Sequence, residues 1–352
     1  MNTLVTGGAG YIGSHAVQRL LRDGHTVVAV DDLSRGHRAA IDALADGAGE
    51  SGESGDRLVF EQASVGESAR IERLIRDHNI DTVLHFAALA YVGESVAEPL
   101  RYYRNNVANG IALLEACDRA GVSRFVFSSS CATYGEPAEE NIPIRETCPQ
   151  IPVSPYGQTK LDFERILIAW AHAREAAGTP VAVTMLRYFN VAGSDRTGIL
   201  GEDHEPETHL IPVAIEAALG KRDGMAIFGT DYPTPDGTAV RDYVHVEDLI
   251  DAHVRAMEHM NPARGGEPKA YNAGIGTGHS VLEVLDAVRR VSGVDFPVRN
   301  ENRRSGDPAQ LFADASLIAN DLGWKAQITD LDAIVDSAWQ WMKRYPNGYA
   351  TT

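Results

Sequence analysis

Cysteine is scarce in this chain, and basic residues are clearly outnumbered by acidic ones. Only three of the 352 residues are cysteines, and none of them has CxxC spacing. This scarcity argues against a disulfide framework and a zinc site, and it favours a reducing, cytoplasmic environment. Acidic residues outnumber basic ones 49 to 32, for a formal net charge of -17. Neither nucleic acid nor an anionic membrane is therefore an expected partner, and a small anionic substrate would need locally placed arginines.

Long apolar runs are also missing. No stretch approaches the ~18 apolar residues of a membrane span, and residues 1–10 lack the basic segment and apolar run of a signal peptide. The twelve histidines are scattered without an HExxH pair, so we interpret them as surface or packing residues and predict no metal.

What is present is a regular alternation of short β-branched runs with helical patterns. Strands are predicted at 2–6, 26–30, 57–61, 82–87, 124–129 and 181–189, and helices at 13–23, 67–78, 98–120 and 157–176. This order predicts an α/β fold with a doubly wound parallel sheet. We predict a dinucleotide-binding domain over 1–189, to which the chain returns around 240–260, and a smaller interleaved domain over 190–352. The Gly/Ser/acidic stretch 46–56 is predicted to be an exposed loop insertion.

The segment "LVTGGAGYIGSH" (4–15) joins the first predicted strand to the first predicted helix. Gly8, Gly10 and Gly13 satisfy GxGxxG, and Gly7, Gly10 and Gly13 satisfy GxxGxxG. Such glycines permit a tight turn and let the backbone approach a pyrophosphate. Asp31 follows Gly13 by 18 residues, near the spacing of a carboxylate that binds a ribose hydroxyl. Its charge favours NAD over NADP, although Arg35 nearby could accommodate a 2′-phosphate.

A second pattern, "SPYGQTK" (154–160), places Tyr156 and Lys160 four residues apart at the start of a predicted helix. An ammonium at that distance favours the phenolate form of a tyrosine, which can then exchange a proton near neutral pH. The strand end "FSSSCATYG" (127–135) adds serines that could bind a substrate hydroxyl and the Tyr156 phenol. Together with the glycine loop, these residues predict a redox centre in which a carbinol loses a hydride and a proton.

At this point the chain resembles the extended short-chain dehydrogenase/reductases, and within that superfamily the UDP-glucose 4-epimerase family. The resemblance spans nearly the whole chain, through "TGGAGYIGSH", "SSSCATYG", "SPYGQTK", "LRYFNVAG", "AIFGTDYPTPDGTAVRDYVHVEDL" and "RSGD". It implies a Rossmann fold, tightly held NAD, a UDP-sugar substrate and a homodimer. The implied reaction is oxidation at C4 to a 4-keto sugar, followed by hydride return to the other face.

The resemblance also implies the site residues. The implied catalytic residues are Tyr156 as acid/base, Lys160 as its tuner and ribose ligand, and Ser130 as hydrogen-bonding partner. The implied cofactor residues, besides Lys160, are Gly7, Gly10, Tyr11, Ile12, Gly13, Asp31, Asp32, Leu33, Ser34, Arg35, Gly36, Ser64, Val65, Phe86, Ala87, Ala88, Asn105 and Phe189. The implied substrate residues, besides Ser130 and Tyr156, are Asn190, His209, Leu210, Ala226, Phe228, Arg241, Arg304, Asp307 and Leu311.

Two positions depart from the family pattern, since Ser64 and Ala90 stand where relatives often carry aspartate and lysine. In the family the residue seven beyond the arginine of "RSGD" borders the sugar's C2 substituent, so the resemblance implies that Leu311, seven residues beyond Arg304, is this gate. A leucine there is intermediate between an excluding tyrosine and a small permissive residue.

Three alternatives to this reaction differ in the residues that they need. A 4-epimerase of another UDP-sugar (N-acetylhexosamine, glucuronate or pentose) would use the same residues. A 4,6-dehydratase needs an acid just after Thr133, where Tyr134 and Gly135 stand instead. A non-catalytic NAD sensor has no need of an intact serine, tyrosine and lysine.

Overall fold

The computed structural model describes residues 1–47, 57–304 and 306–349. The strands in these ranges are β1 Asn2–Thr6, β2 Thr26–Asp31, β3 Leu58–Gln62, β4 Thr82–His85, β5 Arg124–Ser128, β6 Ala182–Tyr188, β7 Asn190–Ala192, β8 Met225–Phe228, β9 Val240–Arg241, β10 Tyr243–His245, β11 Lys269–Ala273, β12 His279–Ser280, β13 Val298–Glu301 and β14 Gln310–Leu311. The helices are α1 Tyr11–Arg22, α2 Arg38–Gly47, α3 Ser68–Asp77, α4 Val92–Ala97, α5 Pro99–Tyr102, α6 Asn109–Ala120, α7 Pro155–Ala176, α8 Leu210–Ala218, α9 Val246–His259, α10 Val281–Ser292, α11 Ser316–Leu322 and α12 Leu331–Arg344.

The central sheet has the strand order β11-β6-β5-β4-β1-β2-β3. From β6 to β3 each strand pairs with its neighbour in parallel. The chain builds β2 and β3 on one side of β1 and then β4 to β6 on the other, so the connections reverse between β1 and β4. Ligands of doubly wound sheets bind at the carboxyl ends of the strands around such a reversal. The predicted fold class, a Rossmann-type doubly wound sheet, is confirmed.

The apolar runs of the sequence form the inner strands because helices cover both faces of the sheet. Leu4 and Val5 of β1 and Val27 and Val28 of β2 are fully buried, as expected for doubly covered parallel strands. All six predicted strands are present with small shifts at their ends. None of the helices in the described residues is both long and apolar enough to cross a membrane.

Two local predictions need correction. The helix predicted over 98–120 runs without a break from Pro99 to Ala120, but a π-helical turn at Tyr103–Ala108 lies between α5 and α6. α5 begins at Pro99, which fits the first turn of a new helix because proline has no N–H to donate. The loop predicted over 46–56 starts later, since residues 46–47 end α2, and residues 48–56 lie outside the described residues.

The chain divides into two compact units, each built from several segments. The first comprises Met1–Thr133, Pro152–Arg187 and Ile250–Tyr271, and the second Tyr134–Ile151, Tyr188–Leu249 and the chain from Asn272 onwards. In this division residues 134–151 lie in the second unit, whereas the sequence prediction placed the whole of 1–189 in one domain. In that segment the Tyr134 hydroxyl donates to Asn272 Oδ1 at 2.7 Å, and Ile144 pairs with Ala313.

Candidate active site

The turn between β1 and α1 is held by glycines whose positions no larger residue could occupy without displacing the backbone. Gly7 has φ +69°, and a Cβ there would lie 2.7 Å from the backbone nitrogen of Ala87. A Cβ on Gly13 would lie 2.0 Å from the carbonyl oxygen of Gly7. α1 starts at Tyr11, directly after Gly10, without a side-chain cap. A helix start with uncapped amides beside a side-chain-free turn fits the pyrophosphate of a dinucleotide.

Asp31 ends β2 with its carboxylate fixed by the backbone. Its Oδ2 accepts a hydrogen bond from the Ala9 N–H at 3.0 Å, and its Oδ1 accepts one from the Leu33 N–H at 2.8 Å. Burial raises the pKa of Asp31, and these two backbone donors oppose that rise. A Cβ on Gly36 would lie 2.8 Å from the same carboxylate. Asp31 is therefore a preorganised acceptor beside the glycine turn, as a ribose ligand must be.

The guanidinium of Arg35 already contacts Glu94 and Tyr91. Its Nη2 donates to Glu94 Oε1 at 2.7 Å, and its guanidinium lies 4.8 Å from the centre of the Tyr91 ring. The side chain of neighbouring Asp32 accepts from the Ser34 N–H at 2.9 Å. A 2′-phosphate would have to compete with Glu94 for Arg35, so the surroundings of Asp31 favour NAD.

Further predicted cofactor residues follow the carboxyl ends of the neighbouring strands. Those after β3 and β4 are Ser64, Val65, Phe86, Ala87 and Ala88. The Ser64 hydroxyl accepts from the Gly66 N–H at 3.2 Å, and the Phe86 ring lies 4.8 Å from the ring of His253. Phe189, also predicted for this group, belongs to the second unit.

Asn105, another predicted cofactor residue, lies in the π-helical turn together with a buried asparagine that sequence reasoning missed. Asn105 Nδ2 donates to Asn106 Oδ1 at 3.0 Å. Asn106 accepts from the Leu89 N–H at 2.9 Å and donates to the Leu89 carbonyl and to Thr159 Oγ1. Asn106 thus fixes the chain after β4 to α7, one turn from Tyr156. The sequence "NN" does not indicate which of the two asparagines is buried.

The start of α7 is specified locally by "SPYG". The Ser154 hydroxyl caps the helix by accepting from the Gly157 N–H at 3.2 Å, and Pro155 occupies the first turn. A Cβ on Gly157 would lie 2.4 Å from the Ala132 carbonyl oxygen, so α7 approaches the end of β5 closely. Tyr156 is 7% exposed and packs with Leu89 and Tyr102, while Ala132 contacts the same cluster.

Lys160 is a buried cation one helical turn beyond Tyr156. Its Nζ donates to the Ser128 carbonyl at 2.7 Å and lies 5.8 Å from the centre of the Tyr156 ring. Burial lowers the pKa of Lys160 to about 7, and the carboxylate of Glu164 opposes this shift. An ammonium held this close to a phenol stabilises the phenolate, which is the requirement for a proton-transfer tyrosine.

The three consecutive serines at the end of β5 take different roles. The Ser128 carbonyl accepts from Lys160, and the Ser129 hydroxyl donates to Glu164 Oε1 at 2.5 Å. Ser130, the predicted catalytic serine, is 7% exposed and accepts from the Ala132 N–H at 3.1 Å. This bond links Ser130 to Ala132, which packs against the cluster that contains Tyr156.

Glu164 and Arg187 form a buried ion pair that sequence reasoning missed. Arg187 Nη2 lies 2.7 Å from Glu164 Oε2, and both side chains are under 10% exposed. Glu164 follows Lys160 by four residues, so Tyr156, Lys160 and Glu164 share one face of α7. That spacing was the available signal for Glu164, whereas Arg187 lies on β6 and gave none.

In the second unit, several predicted substrate residues surround Asp307. Arg241 Nη2 pairs with Asp307 Oδ1, and Arg304 Nη2 lies 2.9 Å from Asp307 Oδ2. The Arg304 guanidinium also lies 5.0 Å from the centre of the Phe228 ring. The side chain of Arg304 is 63% exposed. This group offers two cations and an exposed aromatic face, which suits a nucleoside diphosphate.

Leu311 lies next to this group. β14 pairs in parallel with β9, so Leu311 stands opposite Arg241, and its carbonyl accepts from the Asp242 N–H at 3.1 Å. The remaining predicted substrate residues of this unit lie at the start of β7, at the start of α8 and within β8, and are Asn190, His209, Leu210 and Ala226.

The fold and the first unit together define an extended short-chain dehydrogenase/reductase, with a dinucleotide turn after β1 and a buried tyrosine–lysine pair on α7. Comparison with known sequences gives the family. Residues 3–274 match the NAD dependent epimerase/dehydratase family, and the chain belongs to that family.

Known proteins of similar length resemble the whole chain. A UDP-glucose 4-epimerase of Lactobacillus helveticus is 45% identical, over 99% of both chains. A probable UDP-arabinose 4-epimerase of Oryza sativa subsp. japonica is 44% identical, over 99% of this chain and 84% of its own length. The crystal structure of a UDP-glucose-4-epimerase from Stenotrophomonas maltophila, with bound NAD and formylated UDP-arabinopyranose, superposes with a TM-score of 0.90 at 42% identity, covering 98% of this chain and 99% of that one.

Proposed function

We propose that this protein is an NAD-dependent 4-epimerase that interconverts UDP-glucose and UDP-galactose. One observation carries the proposal: Lys160 Nζ lies buried 5.8 Å from the Tyr156 ring centre, within the unit that also holds the glycine turn. Full-length similarity to a UDP-glucose 4-epimerase supports the choice of reaction.

In this mechanism Tyr156 moves the proton of the C4 hydroxyl. The phenolate, stabilised by Lys160, accepts the hydroxyl proton as the C4 hydrogen leaves, and the phenol later returns that proton to the 4-keto oxygen. Ser130 holds the same oxygen by a hydrogen bond. NAD would be held by the glycine turn and Asp31, and it would supply a reversible acceptor for the C4 hydride. The substrate regains every electron and proton, so the net reaction is an isomerisation.

The second unit provides the local cations that a chain of net charge -17 needs for an anionic substrate. We assign the pyrophosphate to Arg241 and Arg304, with Asp307 holding both guanidinium groups in place. Arginine is suited to this role because its planar fork of donors matches phosphate oxygens. We assign the base-binding surface to Phe228, whose ring lies under Arg304 and is 40% exposed.

A second candidate substrate is UDP-arabinose. The observation that favours it is the probable UDP-arabinose 4-epimerase of rice, 44% identical against 45% for the UDP-glucose enzyme. The same residues would act on both sugars, because the pentose lacks only the hydroxymethyl group at C5. Specificity constants for UDP-galactose and UDP-arabinose, measured on one preparation, decide between them.

We also propose that the protein is a cytoplasmic homodimer. Free cysteines at 117, 131 and 148 support a reducing compartment. Apolar side chains exposed on α4, α5 and α6, namely Val96, Leu100 and Ile111, support a second copy as partner. Sedimentation equilibrium measures the mass in solution.

The deciding experiment is an assay of the purified protein with UDP-galactose and no added NAD, coupled to detection of UDP-glucose. We expect turnover, and about one NAD released from each protein chain on denaturation. Tyr156→Phe should lower the turnover number by about 10²–10⁴-fold while NAD stays bound, since only the hydroxyl that carries the proton is lost.

Tyr102→Phe is the matched control, because it removes a buried phenol hydroxyl of the same cluster. That hydroxyl bonds Glu94 and the Tyr91 backbone, so its loss should lower stability and leave turnover within a factor of about three. Turnover of Tyr156→Phe within a factor of two of the parent would refute the role of Tyr156. Bound NAD without turnover of any UDP-sugar would instead indicate a sensor.

A further inference from the structure

Four potential metal ligands converge in the segment between β7 and α8 of the second unit. They come from "EDHEPETH" and are Glu202, His204, Glu207 and His209, and their ligand atoms all lie within 4.8 Å of one another. Residues 193–209 contain neither helix nor strand. The convergence therefore arises from side-chain placement in an irregular stretch and not from helical spacing.

Both imidazoles present the same nitrogen to the same two carboxylates. His204 Nδ1 lies 3.3 Å from Glu202 Oε1 and 3.6 Å from Glu207 Oε2. His209 Nδ1 bonds Glu202 Oε1 and lies 3.9 Å from Glu207 Oε1. The two rings meet nearly at right angles, with centroids 5.3 Å apart. Two nitrogens and three carboxylate oxygens are thus close together, and each of the four residues can offer one ligand atom to a shared ion.

These separations match those around a small tetrahedral ion. Zinc binds histidine nitrogen and carboxylate oxygen at about 2.0–2.2 Å, which places neighbouring ligand atoms roughly 3.4 Å apart. Three of the four nitrogen–oxygen separations lie between 3.3 and 3.9 Å, close to that value. The fourth, between His209 Nδ1 and Glu202 Oε1, is a direct contact that would have to lengthen as the ion entered. Two imidazoles also argue against calcium and magnesium, which prefer oxygen ligands alone.

Burial and charge point the same way. The side chains of Glu202 and Glu207 are each 5% exposed, and that of His204 is 17% exposed. Two carboxylates in so little solvent need compensating positive charge, because burial of unpaired charge is costly. A divalent cation bound between the four ligand atoms would supply that charge.

We infer that Glu202, His204, Glu207 and His209 bind one divalent transition-metal ion of the zinc type. The ion acts structurally, by tying residues 202–209 together immediately before α8. His209 is the N-cap of α8 and is also a predicted substrate residue, so the ion would fix the loop of the second unit that carries it. The sequence predicted no metal because its histidines lack an HExxH pair, whereas the convergence of these four side chains appears only in the folded chain.

The test uses the full-length protein after treatment with a chelator and dialysis. Titration with Zn²⁺ against a chromophoric competitor should show one equivalent bound, and Co²⁺ should give the visible absorption bands of a tetrahedral nitrogen–oxygen site. Zn²⁺ should also raise Tm by a few degrees, because an ion that binds only the folded chain stabilises it.

Glu202→Gln and His204→Asn should each weaken Zn²⁺ binding at least about tenfold and abolish the Co²⁺ bands. The matched controls are Glu205→Gln, an exposed residue of the same segment, and His172→Asn, a half-exposed histidine on α7; both should bind as the parent does. The inference would be overturned if the parent did not bind Zn²⁺, or if the parent and Glu202→Gln bound it equally. The four side chains would then be a charge-paired cluster without an ion. The titration of the parent decides the question even if a variant fails to fold.

Discussion

Replacing Lys160 by methionine tests the electrostatic core of the proposed mechanism. Methionine retains most of the buried stem and removes only the ammonium, whose Nζ lies 5.8 Å from the Tyr156 ring centre. At an effective dielectric constant of about 20, unit charges about 6 Å apart interact by roughly 3 kcal/mol. That energy corresponds to a factor of about 100 in the fraction of Tyr156 present as phenolate.

We therefore expect Lys160→Met to lower kcat/KM for UDP-galactose by about 100-fold near neutral pH. The pH optimum should move upward, because a higher pH is needed to ionise the phenol without its cationic neighbour. The assay is a pH series of initial rates on protein with its NAD content measured beforehand. Lys343→Met, at an exposed position of α12, is the control and should match the parent at every pH.

Stability should respond differently from activity. Burial holds the pKa of Lys160 at about 7 in the folded protein, below the value of about 10.4 of an unfolded chain. The cost of burying the ammonium is therefore complete below pH 7 and declines as pH rises toward 10. In NAD-free protein the free energy of unfolding of the parent should therefore increase between about pH 7 and 10, relative to that of Lys160→Met. A variant with kcat/KM within threefold of the parent and an unshifted pH profile would refute the reasoning.

Three further predictions address other parts of the chain. Glu164→Gln leaves the buried Arg187 without its partner carboxylate, so it should lower the free energy of unfolding in urea by about 3–5 kcal/mol; a loss under 1 kcal/mol would contradict the buried-pair account. Asp31→Ala should weaken NAD binding and reduce the preference for NAD over NADP, both measured by calorimetric titration. An unchanged NADP affinity would exclude Asp31 as the ribose ligand. Leu311 should discriminate against UDP-N-acetylhexosamines by only about 1–3 kcal/mol, since an apolar wall selects by shape. Leu311→Tyr should remove that slow activity and Leu311→Ser should raise it, and equal rates for all three proteins would show that Leu311 is not the gate.

The parts of the site that the sequence predicted are those encoded within a few neighbouring residues. The glycine turn is specified by Gly7 and Gly13, because only a missing Cβ permits the close approaches seen there. The start of α7 is specified by Ser154 and Pro155, which cap and open the helix that carries Tyr156. Local sterics and hydrogen bonding decide such features, and both are readable from spacing.

The parts that only the tertiary structure decided depend on chain segments brought together from a distance. Arg187 on β6 pairs with Glu164 on α7, 23 residues away in the chain. The sequence of neither segment identifies the other as its partner. Residues 134–151 join the second unit through Asn272, far along the chain. Within "EDHEPETH" the spacing is local, yet whether four side chains face one point depends on the backbone path of an irregular segment. Periodicity predicts elements because it repeats along the chain, whereas these contacts are single events whose partners are selected only when the folded chain buries their charges.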